Sequence, residues 1–374
     1  MDVNHIHCAE RKIMKKQKIN LDYKSILVTG SPGFIGANLV IRLLRDLSGS
    51  TIVSLDEMNG YYDPALKEWR LGRIMEAADH SSSSHVFVKG SISNRELVDF
   101  LFDQYSFDIV VNLAAQAGVR HSIDHPDDYI RSNIIGFYNI LEACREHGVE
   151  HLVFASSSSV YGGSKKIPFC TNDMVDHPVS LYAATKKSDE LMAHAYAKLY
   201  NIPVTGLRFF TVYGPAGRPD MFYFSLADKL VRGDAVRIFN YGDMKRDFTY
   251  IDDVVEGVVR VMKGAPAKKM GDDSLPIPPY AIYNIGGGKP ENLMYFTKLL
   301  HREMILHGLL PETDRLENHL ELVGMQPGDV KVTYADSSDL ERDYGFVPKI
   351  RIEEGLKCFV DWYKEYSSID TSHP

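Results

Sequence analysis

The chain has 374 residues, of which 44% are apolar, so it can form a substantial core in two ordinary domains or in one large α/β unit. Its 50 acidic and 42 basic residues give a formal net charge of -8, which argues against a general nucleic-acid or membrane-surface binder, because such proteins need a basic surplus. The four cysteines are scattered and show no Cys-x-x-Cys spacing, so we expect neither a disulfide framework nor a metal site, which fits a reducing, cytoplasmic location.

The beginning of the chain is polar and basic. Residues 1–20 contain neither the apolar run of a signal peptide nor the roughly 18 apolar residues of a membrane span. We expect residues 1–23, and residues 367–374 at the other end, to be tails, because termini that are not tied down are usually disordered.

From residue 25 onward, short β-rich runs alternate with segments of helical period. This alternation is typical of a parallel sheet that is covered by helices on both faces. Strands are predicted at residues 26–29, 51–55, 86–89, 109–113, 152–155, 204–209 and 282–285. Helices are predicted at residues 34–47, 95–105, 128–147 and 181–200, where apolar residues recur at three- and four-residue spacing.

After residue 210 the alternation loosens into loops that contain Gly and Pro, which indicates a smaller part interleaved with the sheet domain. The predicted elements there are helices at 222–231 and 252–262 and strands at 236–239 and 280–285. We therefore predict a sheet domain at 24–207 plus 247–288, a smaller domain at 208–246 plus 289–366, and surface loops at 81–84 and 264–279.

Three glycines, Gly30, Gly33 and Gly36, lie between the first predicted strand and helix. Glycine allows a tight turn and a close approach to a pyrophosphate, and the helix N-terminus offers N–H groups to the anion. The spacing is one residue wider than the usual dinucleotide fingerprint, so a glycine turn without a ligand is the alternative. The pattern predicts a dinucleotide-binding turn.

An acidic residue, Asp56, closes the next predicted strand twenty residues after Gly36. A carboxylate at this position can accept hydrogen bonds from the adenosine ribose, and it repels a 2′-phosphate. We therefore expect NAD rather than NADP, with a simple strand-end cap as the alternative role of Asp56.

Tyr182 and Lys186 lie four residues apart in a helical stretch, so both face the same side of the helix. An ammonium group near a phenol favours the phenolate and lowers the tyrosine pKa from about 10. The pair follows the serine run 156–159 at the end of a predicted strand, where hydroxyls can point at a ligand over the carboxyl edge of the sheet.

Together these motifs resemble those of the extended short-chain dehydrogenase/reductase family, over residues 25–366. They are Thr29-Gly-x-x-Gly-Phe-Ile-Gly36, Asn112-Leu-Ala-Ala115, Ser156 to Gly162, Tyr182-x-x-x-Lys186 and Arg246-Asp-Phe-x-Tyr-Ile-Asp-Asp253. The resemblance implies an α/β fold with a Rossmann-type doubly wound parallel sheet and a smaller, interleaved C-terminal substrate-binding domain. It implies that Tyr182 is the catalytic base, Lys186 its electrostatic partner and nicotinamide-ribose ligand, and Ser157 a hydroxyl that helps to move the substrate proton.

The same resemblance implies a set of NAD-binding residues. One position departs from the family, because Ser91 stands where the family usually has the aspartate that contacts adenine. A serine accepts a hydrogen bond but carries no charge. The implied NAD-binding residues are Gly30, Gly33, Phe34, Ile35, Gly36, Asp56, Asn59, Ser91, Ile92, Ala114, Ala115, Asn133, Tyr182 and Lys186.

Longer strings resemble the UDP-glucuronate 4-epimerases within this family. They are Tyr61 to Lys67, Ala115 to Arg120, His177 to Lys186, Arg208 to Pro215 and Gly217 to Met221. They imply reversible 4-epimerisation of UDP-glucuronate to UDP-galacturonate through a transient 4-keto sugar with tightly bound NAD, supplying nucleotide sugar for surface polysaccharide.

The substrate carboxylate needs its own ligands, because a ketone β to a carboxylate promotes loss of carbon dioxide. Donors at Ser158, Ser159, Thr211 and Arg218 would hold it and fix the torsion of the bond at risk. Related decarboxylases tend to carry a glutamate at the position of Ser159, and related dehydratases an Asp-Glu pair at Ser158 and Ser159. Thr211 replaces the asparagine usual in neutral-sugar 4-epimerases, with an ordinary strand-end residue as its alternative role.

The nucleotide part of the substrate has implied ligands of its own. Arg246 resembles the family arginine that grips the UDP pyrophosphate, and Gln326 and Asp329 resemble the ligands of the uridine ribose. The alternative for Arg246 is a surface ion pair with Asp247 or Asp252.

Three other functions remain open. Two are enzymatic, a UDP-glucuronate decarboxylase and a 4-epimerase of another UDP-sugar. The third is a non-catalytic NAD-binding regulator on the same fold, against which the intact Ser157, Tyr182 and Lys186 argue. As partners we expect a UDP-sugar and a second copy of the chain, paired through the helices at 128–147 and 181–200, and neither nucleic acid nor membrane.

Overall fold

The structure is a computed structural model that describes residues 14–272, 274–325 and 330–370. The strands are β1 (Lys16–Lys18), β2 (Ser25–Thr29), β3 (Thr51–Asp56), β4 (Ser84–Lys89), β5 (Ile109–Asn112), β6 (His151–Ser157), β7 (Val204–Phe209), β8 (Thr211–Tyr213), β9 (Val236–Ile238), β10 (Lys245–Tyr250), β11 (Gly264–Pro266), β12 (Lys269–Met270), β13 (Pro276–Ile277), β14 (Tyr280–Ile285), β15 (Pro290–Asn292) and β16 (Leu320–Leu322). The α-helices are α1 (Phe34–Asp46), α2 (Pro64–Asp79), α3 (Arg95–Tyr105), α4 (His121–Asp124), α5 (Pro126–Tyr129), α6 (Gly136–His147), α7 (Leu181–Tyr200), α8 (Phe222–Arg232), α9 (Ile251–Met262), α10 (Leu293–Leu306), α11 (Ser338–Tyr344) and α12 (Ile352–Asp370).

The chain divides into two compact units, each assembled from three segments. Unit 1 comprises Met1–Phe209, Val255–Ile285 and Asp336–Phe346, and unit 2 comprises Phe210–Val254, Gly286–Ala335 and Val347–Pro374. The predicted domain bounds remain a prediction. Apart from the tails and from shifts of two or three residues at 208–209 and 286–288, these units differ from them in two longer segments. Residues 247–254 fall in unit 2 because β10 pairs with β8, and residues 336–346 fall in unit 1 because α11 packs against β14.

Unit 1 is built on a seven-stranded sheet in the order β14-β7-β6-β5-β2-β3-β4. Every neighbouring pair in it is parallel. Its inner strands consist mainly of Val, Ile and Leu, because helices cover both faces of a parallel sheet. The predicted Rossmann-type fold is confirmed, and the carboxyl ends of β2, β3, β5 and β6 meet at one edge of the sheet.

The core of unit 1 lies between this sheet and its helices. Val53 and Val110 on the strands pack in one buried cluster with Phe102 of α3 and Phe137 of α6. The helix predicted at 128–147 is divided into α5, a π-helical turn at Ile130–Ile135, and α6.

Unit 2 contains a three-stranded sheet in the order β15-β10-β8 and a parallel pair of β9 with β16. Helices α8 and α12 pack against α10. The core is aromatic: the rings of Phe248 and Phe296 are stacked with centroids 4.0 Å apart, and Tyr223 meets Phe359 edge-on at 4.9 Å.

The structure corrects the predicted N-terminal tail for residues 14–23. Here β1 pairs antiparallel with β11, and the side chains of Ile19 and Leu21 are buried. Burial of these two apolar side chains fixes the segment, which a composition-based reading missed. The predicted C-terminal tail is corrected for residues 367–370, since α12 runs on to Asp370, and residues 371–374 lie outside the described residues.

Two predicted surface loops also contain regular structure. In the segment 81–84, Ser83 is buried and its hydroxyl donates to the carbonyl of Leu47, and Ser84 begins β4. The segment 264–279 contains β11, β12 and β13. Every helix in the described ranges is too short or too polar to span a lipid bilayer. A cytoplasmic location stays a prediction.

Candidate active site

The glycine turn joins β2 to α1. Gly30 has φ +71°, and a Cβ atom there would lie 2.7 Å from the backbone nitrogen of Ala114. A Cβ atom at Gly36 would lie 2.2 Å from the carbonyl oxygen of Gly30, so both positions require glycine. Helix α1 begins at Phe34, and its cap Gly33 makes no side-chain hydrogen bond, which leaves the first N–H groups for an anion.

A buried polar atom supports a ligand at this turn. The hydroxyl of Ser31 is buried and has no hydrogen-bond partner among the described residues. Buried hydroxyls are normally paired, so an unpaired one beside the glycines fits a bound polar group. The residues of the turn therefore fit the pyrophosphate of a dinucleotide.

Asp56 ends β3 and lies beside Lys67 of α2. The Asp56 carboxylate accepts a hydrogen bond from the Met58 N–H at 2.7 Å, and the Lys67 ammonium lies 3.4 Å from it. The same ammonium donates to the side-chain carbonyl of Asn59 at 2.9 Å. The structure thus brings two predicted cofactor residues together around a buried lysine.

Ser91 and Ile92 follow β4. The Ser91 hydroxyl lies 2.9 Å from the hydroxyl of Ser93 and accepts a hydrogen bond from the Ser93 N–H. Ile92 is buried in the main core cluster of unit 1. Ser91 thus has local partners of its own, and its predicted adenine contact stays a prediction.

The segment after β5 is fixed from two sides. The Ala114 N–H donates to the hydroxyl of Thr29 at 3.1 Å, which holds it against the glycine turn, and Ala115 follows half-buried. Buried Asn133 accepts from the Gln116 N–H and donates to the Gln116 carbonyl and to the Thr185 hydroxyl. These bonds occupy the Asn133 amide, so in this structure it positions the predicted cofactor segment against α7.

Tyr182 lies in the first turn of α7, which begins after the cap Ser180. Lys186, one turn further on, is buried and donates to the carbonyl of Ala155 on β6 at 2.9 Å. Ser157 ends β6, and α7 packs against both β6 and the turn that follows it. Two elements in contact therefore carry the three predicted catalytic residues.

An acidic group also touches Lys186. The carboxylate of Asp189 lies 3.2 Å from the Lys186 ammonium, and both side chains are almost fully buried. Burial raises the pKa of Asp189 to about 7, although the lysine charge acts against this rise. Lys186 thus has a buried carboxyl group as well as the Ala155 carbonyl as its partners.

A buried ion pair holds α7 against the sheet. Arg208 of β7 makes two hydrogen bonds to Glu190, at 2.7 and 2.8 Å, and the Ser156 hydroxyl donates to the same carboxylate at 2.7 Å. Burial acts to raise the pKa of Glu190, but the Arg208 hydrogen bonds hold it below its ordinary value. These hydrogen bonds fix the position of α7 relative to the carboxyl end of β6.

Ser158 and Ser159 begin a 3₁₀ turn, Ser158–Tyr161, directly after β6. The Ser157 hydroxyl caps this turn by accepting from the Ser159 N–H at 3.1 Å. Both serines are half-buried, and the turn consists of Ser, Ser, Val and Tyr without an acidic side chain.

The remaining predicted substrate residues belong to unit 2. Thr211 begins β8 and is paired with Phe248 of β10. The Arg218 guanidinium forms two hydrogen bonds with the Asp220 carboxylate, and Arg246 donates to the carbonyls of Lys245 and Lys331. Gln326 and Asp329 lie outside the described residues.

The carboxylate of Asp247, next to Arg246 in the chain, is buried and hydrogen-bonded to backbone groups, so it is not available for a surface ion pair with Arg246. It is fully buried, accepts from the backbone N–H groups of Ala335 and Gly288, and has its pKa raised by burial to about 6. Its carboxylate ties three segments of unit 2 together.

Sequence reasoning missed three residues of this region. Lys67 was noted only as the end of a matching string, because helix α2 was not predicted. Asp189 follows Lys186 by three residues, a spacing that places it on the same helix face and could have been noticed. Ser31 gave no signal, since its burial depends on the folded turn.

Comparison with known proteins agrees with this geometry. The model of the NAD dependent epimerase/dehydratase family matches residues 26–286. Protein CapI of Staphylococcus aureus is 45% identical over 91% of this chain and 98% of that protein. A protein of Rhizobium meliloti named "Probable UDP-glucuronate 4-epimerase" is 40% identical over 91% of this chain and 96% of its own length.

A solved structure is similar over the same extent. UDP-glucuronic acid 4-epimerase from Bacillus cereus, in complex with UDP-glucuronic acid and NAD, superposes with a TM-score of 0.77 at 30% identity, over 91% of this chain and 99% of that one. These matches confirm the predicted class, an NAD-dependent nucleotide-sugar epimerase, and NAD as its cofactor. The chain belongs to the NAD dependent epimerase/dehydratase family.

Proposed function

We propose that this chain catalyses the reversible inversion of carbon 4 of UDP-glucuronate to give UDP-galacturonate. The names of the Rhizobium meliloti and Bacillus cereus relatives support this reaction. The product is an activated uronic acid, which suits supply of nucleotide sugar to a surface polysaccharide.

The roles of the residues follow from their chemistry. Tyr182 accepts the proton of the 4-hydroxyl group, Lys186 favours the charged phenolate, and Ser157 helps to pass the proton. Bound NAD supplies a reversible hydride acceptor for carbon 4. The transient 4-keto sugar then presents its other face, carbon 4 takes the same hydride back on that face, and Tyr182 returns the proton to the oxygen of the inverted carbon.

One observation carries the choice of substrate. The turn after β6 offers the two hydroxyls of Ser158 and Ser159 and no carboxylate. Hydroxyls can donate to a substrate carboxylate, whereas an acidic side chain would repel it. The proposal adds Thr211 and Arg218 as further carboxylate ligands and Arg246, Gln326 and Asp329 as ligands of UDP.

The first test is the product formed by the purified protein. UDP-glucuronate is incubated with the protein and followed by NMR, with UDP-glucose as a second substrate. We expect UDP-galacturonate. UDP-xylose as the main product would identify a decarboxylase, faster conversion of UDP-glucose a neutral-sugar epimerase, and no product from either sugar a non-catalytic NAD-binding protein.

The second test concerns Arg218. A guanidinium can bind a carboxylate with two parallel hydrogen bonds, and lysine keeps the charge but loses this geometry. Arg218→Lys should weaken the binding of UDP-glucuronate by roughly 1.5–3 kcal/mol, or about 10- to 150-fold, and release some UDP-xylose. Arg237→Lys is the matched control, because Arg237 forms an exposed ion pair with Glu321. Unchanged affinity in Arg218→Lys without added UDP-xylose would remove Arg218 from the proposal.

We also propose that the chain forms a homodimer through α6 and α7. Tyr138 on α6 is 44% exposed, and Leu191 and Leu199 on α7 are 59% and 68% exposed. Exposed apolar side chains on two neighbouring helices favour a second copy that buries them.

A further inference from the structure

A cluster of possible metal ligands lies between β5 and the π-helical turn. His121 begins the short helix α4, His125 follows it, and Asp128 lies in α5. One ring nitrogen from each histidine and one carboxylate oxygen all lie within 4.8 Å of one another. The expectation of no metal rested on the spacing of cysteines and did not consider histidines.

The histidine rings are available for a ligand. They are stacked, with centroids 4.2 Å apart and an interplanar angle of 23°. Neither ring makes a hydrogen bond within the described part of the chain. Asp128 pairs with Arg131 at 3.1 Å, but these side chains are 39% and 59% exposed, and such a surface pair is weak enough to exchange for a metal.

The donor set indicates the kind of ion. Two imidazoles and one carboxylate suit Zn²⁺ and neighbouring divalent transition metals, whereas Mg²⁺ and Ca²⁺ prefer oxygen ligands. Bonds of about 2.0–2.2 Å to a central ion require the ligand atoms to approach more closely than 4.8 Å. Binding therefore requires the exposed His125 ring to turn out of the stack, so that its nitrogen points at the same ion as that of His121. Three protein ligands leave at least one position for water.

The surroundings fix the first of these ligands. The His121 ring meets the ring of Tyr61 edge-on at 4.9 Å and lies 6.1 Å from the ring of Tyr129. The hydroxyl of buried Tyr129 lies 2.6 Å from the carbonyl oxygens of Ala117 and Gly118 and can donate its one proton to either, and its ring meets Tyr182 edge-on at 6.1 Å. The cluster therefore lies one aromatic ring away from the proposed catalytic tyrosine.

We propose that His121, His125 and Asp128 bind one divalent transition-metal ion of the zinc class. The proposal is independent of the sugar that the enzyme uses. It adds to the protein a metal site that no step of the proposed epimerisation requires.

The test measures metal binding by the untagged full-length protein with its bound NAD. Zn²⁺ is titrated by calorimetry, and Co²⁺ is followed by its visible d–d absorption. We expect one ion per chain and no comparable binding of Mg²⁺. His125→Ala and Asp128→Asn alter half-exposed or exposed side chains, and each should weaken binding by at least about 10- to 100-fold, the effect seen even for outer-shell partners of a metal.

Two control variants separate this cluster from other ligands. His80 is exposed and lies outside the cluster, so His80→Ala should bind the metal like the wild type. His5 and His7 lie beside Cys8 in the sequence and also offer ligands, so the double variant His5→Ala/His7→Ala tests that source. The proposal is overturned if His125→Ala binds the metal normally, if the double variant abolishes binding, or if no ion binds to the wild type.

Discussion

At the residue scale, two buried lysines show how charge is placed around the cofactor region. Lys186 is held by the Ala155 carbonyl and the Asp189 carboxylate, and Lys67 by Asp56 and Asn59. A buried ammonium without such partners would carry a large desolvation cost. Each lysine therefore keeps a fixed position from which it can influence a ligand or a neighbouring phenol.

The proposed base can be tested by removing one oxygen atom. Tyr182→Phe deletes the group that accepts the proton and leaves the ring that packs near Tyr129. We expect turnover to fall by about 100- to 10,000-fold, the usual contribution of general base catalysis, with NAD content and melting temperature unchanged. Tyr200→Phe, an exposed tyrosine on the same helix, should keep full activity. Turnover of Tyr182→Phe within tenfold of wild type would rule Tyr182 out as the base.

Cofactor choice depends on the pair of Asp56 and Lys67. The Asp56 carboxylate disfavours a 2′-phosphate, but Lys67 lies 3.4 Å away and carries the opposite charge. In Asp56→Asn the lysine charge is no longer balanced, so we expect NADP affinity to rise relative to NAD by at least about 10-fold, the value of one charge-assisted hydrogen bond. The measurement is binding of both cofactors to protein stripped of NAD, with Asp99→Asn on α3 as the control. An unchanged affinity ratio would contradict this role of Asp56.

At the element scale, the structure shows which patterns the sequence reveals and which it hides. The seven strands of the main sheet were predicted because buried parallel strands are rich in consecutive apolar residues, such as the Ile-Val-Val that begins β5. Helix α2 was missed because two of its buried residues, Lys67 and Arg70, are charged, which obscures its apolar face. β1 was missed because Lys-Gln-Lys has no apolar period, and its pairing with β11 is visible only in the fold.

The site was predictable to a similar degree. The glycines, Tyr182 and Lys186 could be predicted from their spacing, since a turn and a helix face are local features of the chain. The contacts of Asn133 with Gln116 and Thr185, and the burial of Asp189, depend on packing between α7 and its neighbours. Local patterns therefore name the reacting groups, while the groups that position them require the folded chain.

The exposed face of α7 gives the test of the proposed dimer. Leu191→Lys places a charge in the middle of that face, and burying an unpaired charge opposes association. We expect the dimer dissociation constant to rise at least about tenfold, which is about 1.4 kcal/mol. Sedimentation velocity over a concentration series measures it. Leu306→Lys changes an exposed leucine of α10 and is the control, and it should not change the mass of the sedimenting species. A wild type that stays monomeric, or a Leu191→Lys dimer as tight as the wild type, would contradict the proposal.

At the scale of the whole molecule, the free energy of unfolding depends on pH through buried ionisable groups. Some of these groups lower it as the pH falls, and others raise it. His151 begins β6, is fully buried beside the Thr205 hydroxyl, and has its pKa lowered by burial to about 4. Between about pH 6.5, its unfolded value, and pH 4, only the unfolded chain binds this proton, so stability falls as the pH falls. The raised pKa of Asp189, about 7, has the opposite effect on stability. Between about pH 7 and its unfolded value of about 3.9, the folded chain binds this proton more readily than the unfolded chain, so this group favours the folded state as the pH falls.

The contribution of His151 can be isolated by a variant. From pH 7 to pH 5 the histidine term should lower the free energy of unfolding by about 2 kcal/mol, which is 1.36 kcal/mol for each of about 1.5 pH units below 6.5. His151→Gln cannot titrate, so its loss over this range should be smaller than that of the wild type by this amount, whereas His80→Gln should follow the wild type. Urea unfolding is monitored by the fluorescence of Trp69, in unit 1, in a Trp362→Phe background. Parallel pH curves for His151→Gln and wild type would show that the folded protein protonates His151 as readily as the unfolded chain does.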